Sequence, residues 1–126
     1  MTDYDQIGIS EALRSITSTL SKSEKALAKL KEGTSQHTMT VRGIKAYRIA
    51  IALINRELGI AGRCIYTQSE LDAALEAINS AKSRAEQILP KLKQGTPQQT
   101  LVVRRIAAFN IAAELIRRGQ CISGHT

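Results

Sequence analysis

Two ten-residue stretches of this chain, KLKEGTSQHT from Lys29 to Thr38 and KLKQGTPQQT from Lys91 to Thr100, are nearly the same and lie 62 positions apart. The match continues beyond them. From Lys29 to Arg56, 16 of 28 residues are identical to those from Lys91 to Arg118. Most other pairs are mild, such as Met39 with Leu101, Tyr47 with Phe109 and Glu32 with Gln94. One supersecondary unit is therefore used twice, and each copy is too small to bury its own apolar face alone. With 126 residues, 43% of them hydrophobic, the chain suits one compact domain over residues 1–126. That domain divides into repeats at about 5–58 and 67–119, joined by a linker at 59–66.

The repeated decapeptide reads as a joint between two helices. Gly33 and Gly95 can adopt the left-handed conformation that closes a helix. Thr34 and Thr96 follow as N-caps, whose hydroxyls accept from amides of the next helix. Pro97 suits the first helical position, and Gln99 completes a capping-box pattern with Thr96. Thr67–Glu70 is a second capping box, and Asp5 stands 62 residues before Thr67 as an equivalent cap. The caps predict four helices over about 6–32, 35–58, 68–94 and 97–118, with Gly59 and Gly119 as the later stops. The fold class is all-α: a duplicated helical hairpin forming an up-down-up-down four-helix bundle.

The first and third helices carry a heptad-like seam. Ile9, Leu13, Ile16, Leu20, Ser23, Leu27 and Leu30 step by four and three, and the same steps recur from Leu71 to Leu92. Lys82 interrupts the second seam, and Pro90 predicts a bend near Glu86–Pro90. The second and fourth helices are apolar around a wider arc, roughly 220° at a helical 100° per residue. In the second helix, Ile44, Tyr47, Ile51 and Ile54 line one side; Met39, Gly43, Ala46, Ala50 and Leu53 line another. These two helices are expected at the centre, with surplus apolar surface for a homo-oligomer.

Charge is concentrated at one end. In an up-down-up-down bundle both hairpin turns lie together. Residues 20–45 carry +4 and residues 82–107 carry +5, so the turn end holds +9 of a net +7 and the rest of the chain −2. Two helix N-termini add partial positive charge there. The candidate anion-binding or nucleic-acid-binding residues are Lys29, Lys31, Arg42, Lys45, Lys91, Lys93, Arg104 and Arg105. Gln36, Thr38, Gln98 and Thr100 can add neutral hydrogen bonds. Arg105 is the unusual member, because it falls inside the apolar arc where the other copy has Gly43. An arginine there needs solvent or a partner. Lysine near a helix C-terminus is also what the helix dipole favours in any protein, so Lys29, Lys31, Lys91 and Lys93 have a purely structural reading as well. On that reading the arginines pair with nearby carboxylates such as Glu32 and Glu86.

Nothing in the chain has the spacing of a catalytic set or a metal site. His37 is read as a polar first-turn residue, and Glu70, Asp72 and Glu76 as a solvated helix start. Cys64, Cys121 and His125 lack metal-ligand spacing, and the two cysteines read as reduced thiols. No cofactor and no enzymatic activity are expected. The acidic start MTDYDQIGIS lacks the form of a secretion signal, and no apolar run is long enough for a membrane span; a cytoplasmic location is expected. Three tyrosines, one phenylalanine and no tryptophan leave little for stacking on single-stranded bases. The functional expectation is a non-enzymatic nucleic-acid-binding module that uses its turn end. The alternative is a protein-interaction or scaffolding module that uses the apolar faces of the second and fourth helices.

Overall fold

The computed structural model describes residues 5–59 and 66–118. Linker residues 60–65, Gly119, both cysteines and His125 lie outside them. Four helices pack on one another: α1 (Gln6–Leu27), α2 (Ser35–Glu57), α3 (Gln68–Ile88) and α4 (Pro97–Arg117). No strand occurs among the described residues.

The caps act as the side-chain chemistry dictates. Asp5 accepts from the Gly8 amide at 2.8 Å, and Thr67 and Glu70 form a reciprocal capping box. Gly59 follows α2 at φ +78°, ending it in the expected left-handed turn. The first and third helices, however, stop short of the predicted 32 and 94. α1 ends at Leu27 and α3 at Ile88, and each is followed by three-residue bonding: Leu30 N–H donates to Leu27 O, and Leu92 N–H to Leu89 O, both at 3.1 Å. Leu27 to Leu30 is a step of three, which is also the period of a 3₁₀ turn, so apolar spacing does not distinguish the two. Pro90 sits within the 3₁₀ turn Leu89–Lys91 and terminates α3 rather than bending it. The first copy turns in the same way with Ala28 at that place. Gly33 and Gly95 keep their positive φ, but inside the connection rather than at the helix end.

α1 touches α2 and α4 but not α3; α2 and α4 touch each other as well as both outer helices. Having three neighbours instead of two explains their wide apolar arcs. Ile44, Tyr47 and Ile54 are buried on one side of α2, and Ala46, Ala50 and Leu53 on the other. The surplus that motivates self-association is thus largely absorbed within one chain. The buried stripe of the outer helices also differs from the predicted seam. It runs Ile9, Ala12, Ile16, Thr19 and, 62 residues later, Leu71, Ala74, Ile78, Ala81. Leu13, Leu20 and Leu75 pack half-buried at its flank. Small residues at alternate positions let the helices approach, and the leucines close the side. Thr19 tolerates burial because its hydroxyl donates to the Ser15 carbonyl at 2.9 Å.

The core is not distributed evenly along the bundle. Every buried residue of α2 lies between Ile44 and Ile54, and every one of α4 between Ala108 and Ile116. The turn-proximal stretches of those helices instead expose Met39, Leu101 and Val103.

Candidate nucleic-acid interface

Both turns are built the same way. The Thr34 hydroxyl accepts from the His37 amide at 3.1 Å and donates to the Lys31 carbonyl at 2.8 Å. The Thr96 hydroxyl accepts from the Gln99 amide at 3.2 Å and donates to the Lys93 carbonyl at 2.8 Å. Each threonine therefore ties a lysine-bearing turn to the start of the next helix. Gln99 departs from the predicted capping box: its side-chain oxygen accepts from Gly95 N–H at 3.0 Å, one residue before the cap. It braces the glycine rather than the threonine.

Lys29, Lys31, Lys91 and Lys93 are exposed in these turns, and Arg42, Lys45 and Arg104 are exposed on α2 and α4. None of them, nor Arg105, has a carboxylate within ion-pair distance among the described residues. The ion pairs that form there use other cations: Arg48 with Glu24 at 2.7 Å, and Arg117 and Arg118 with Glu114 at 3.7 and 3.6 Å. Glu32 and Glu86 pair with no arginine among the described residues, contrary to the structural reading of the arginines.

The eight residues do not form one cluster. Arg42 and Lys45 line an open groove of about 960 Å³ between α2 and α3. Arg84 faces them from α3, and its Nη1 donates only to the Met39 sulfur, a weak acceptor, at 3.5 Å. Glu70 and Glu76 line the same groove towards the start of α3, so the groove is basic at one end and acidic at the other. Arg84 was outside the set expected from sequence. A signal for it existed: it pairs with Lys22 at the 62-residue offset, so both copies are basic there.

Arg105 also belongs elsewhere. It is half-buried, and its Nε is enclosed without a hydrogen-bond partner. Its charge acts on the Tyr47 phenol. Burial raises the Tyr47 pKa above its ordinary value of 10.0, and Arg84 and then Arg105 pull the other way. Tyr47 stacks on Phe109, its equivalent in the second copy, with ring centres 6.1 Å apart and planes 14° from parallel. Gly43 lies beside the Tyr47 ring, where a β-carbon would stand 3.6 Å from it. The two copies thus differ by Gly43 for Arg105 and Tyr47 for Phe109 at the place where they meet.

His37 offers its backbone amide to Thr34, which agrees with a first-turn role. Among the described residues no three His, Cys, Asp or Glu side chains are placed to hold a metal ion, and no helix is long and apolar enough to cross a membrane. Comparison with protein-family models, with curated proteins and with solved structures returned no match.

Proposed function

We propose that the turn end of the bundle binds the phosphate backbone of nucleic acid and catalyses no reaction on it. The observation that carries this reading is the set of unpaired cations. Lys29, Lys31, Lys91, Lys93, Arg42 and Arg104 are exposed and have no carboxylate partner among the described residues, where the ion pairs that form use Arg48, Arg117 and Arg118. Unpaired, mobile ammonium and guanidinium groups can each take a phosphate and release its counterion. The helix starts at Ser35 and Pro97 add partial positive charge between them. Arg105 is half-buried with its Nε enclosed, so this reading rests on the other cations.

Binding of this kind falls steeply with salt. On duplex DNA each neutralised phosphate contributes a log–log slope of about −0.9. Replacing Lys29, Lys31, Lys91 and Lys93 by glutamine is expected to flatten the slope by about three to four units with helicity unchanged. An unchanged slope, or no measurable binding near ~50 mM salt, contradicts the reading.

The protein-interaction alternative draws on a different observation. Met39, Leu101, Val103 and Ile88, all in the turn-proximal half, are 39–47% exposed. A partner held there would bind with little salt dependence and would be lost on replacing Met39 and Leu101 by serine. Self-association rests on these same side chains, and a monomer by sedimentation at roughly 10–100 µM would remove it.

A further inference from the structure

Resting on the phosphate-binding reading, we infer that the ligand is a duplex whose groove the two turns straddle, not a single strand. Exchanging the two repeats leaves the pattern of helix contacts unchanged: each outer helix touches both inner ones, and the inner ones touch each other. α2 and α4 both run away from the turns, so the axis relating the copies passes lengthwise between them. The equivalent rings of Tyr47 and Phe109 stack across it. The joints repeat in detail, with Gly33 and Gly95 at φ +88° and +83° and both threonine-to-lysine-carbonyl bonds at 2.8 Å. The axis therefore leaves the molecule through the middle of the turn end.

Six of the exposed cations obey the same symmetry. Lys29 and Lys91, Lys31 and Lys93, and Arg42 and Arg104 are identical pairs at the 62-residue offset. Four basic residues of the same end do not follow it: Lys25, Lys45, Lys82 and the half-buried Arg105 stand opposite Gln87, Ala107, Leu20 and Gly43 in the other copy. A double helix has a matching element: local twofold axes perpendicular to its length relate the phosphates of one strand to those of the other, which is why twofold proteins seat on twofold sites. A single strand has no such axis.

The dimensions agree. Packed helix axes lie about 8–10 Å apart, which sets the scale of the separation between the two turns. The grooves of B-form DNA are about 12 and 6 Å wide, and flexible lysine stems take up the difference. One turn then meets each phosphate wall of a single groove. The aromatic inventory points the same way. Single-strand binders stack bases on aromatic side chains, whereas among the described residues Tyr47 and Phe109 are buried against each other and Tyr66 lies at the opposite end of the bundle.

Fluorescence anisotropy near ~50 mM salt tests this with three probes of one sequence: a DNA duplex of roughly 20 base pairs, the RNA duplex, and the single DNA strand. The full chain is compared with a Lys29→Gln/Lys31→Gln variant. At least one duplex is expected to bind about tenfold or more tightly than the single strand. Which duplex does so identifies the source, because A-form RNA presents differently shaped grooves. The variant is expected to lose most of that preference, since one turn alone reaches one wall. A single strand bound as tightly as both duplexes overturns straddling and leaves phosphate binding standing, whereas binding of no probe overturns both. A variant that keeps the full duplex preference also overturns straddling.

Discussion

The two repeats agree at their joints and differ where they meet. At the joints, glycine, threonine and lysine occupy matching positions, and their hydrogen bonds agree to within 0.1 Å. At the shared axis the first copy supplies Tyr47 and the second Phe109, with Gly43 beside the Tyr47 ring and the charge of Arg105 acting on its phenol. The difference is a lesson in what twofold packing permits. Residues at the surface ends of a repeat each have their own space, so both copies can keep the same solution. Residues at the axis compete for one space. There, the rings of Tyr47 and Phe109 share it by stacking face to face.

The largest effect expected at the axis comes from removing the ring that both copies pack around. Phe109 is 1% exposed, so Phe109→Ala should cost about 3–5 kcal/mol in denaturant unfolding. A loss below about 1 kcal/mol would mean that the axis is not the centre of the core.

At the joints the comparison predicts equality. Gly33 and Gly95 have nothing near a would-be β-carbon, so substitution there reports backbone strain alone. Gly33→Ala and Gly95→Ala should each cost about 1–2 kcal/mol and by the same amount. Unequal losses would show that the two turns are not energetically equivalent.

Gly43 should behave in the opposite way. It lies inside α2 without a positive φ, and a β-carbon would meet the Tyr47 ring at an ordinary 3.6 Å. Gly43→Ala should therefore stabilise by about 0.5–1 kcal/mol through helix propensity. A destabilised variant would show that the space beside Tyr47 is already fully used.

The smallest effect concerns the Tyr47 hydroxyl. Its pKa is raised in the folded state, mainly by burial, so its contribution to stability is complete below the unfolded value near 10.0 and is lost as pH rises above it. Between roughly pH 9 and 11 the melting temperature of the native chain should fall further than that of Tyr47→Phe. Parallel curves would mean that the phenol ionises as freely folded as unfolded.

Four helices, their caps and the central position of α2 and α4 were legible in the sequence, because capping chemistry is local and the 62-residue offset marks each element twice. The ends of α1 and α3 were not. Leu27, Leu30, Leu89 and Leu92 continue the apolar spacing through residues that turn by 3₁₀ bonding instead. The choice between Leu13 and Ala12 for the buried stripe depends on how closely the helices approach, which no single helix records. Within the candidate site the cations were legible from charge alone. Their grouping was not: Arg84 joins Arg42 and Lys45 only because α2 and α3 run antiparallel. Arg105 departs from the others in that its Nε is enclosed and its charge acts on the buried Tyr47 phenol.

On the proposed reading, one unit used twice presents two equivalent sets of turn lysines to phosphate. That reading is tested most directly by measuring the salt dependence of duplex binding after neutralising one turn at a time. Lys29→Gln/Lys31→Gln and Lys91→Gln/Lys93→Gln should each flatten the log–log slope by about two units, and the combined variant by about twice that. Loss of the whole salt dependence from one pair, with none from the other, would contradict it.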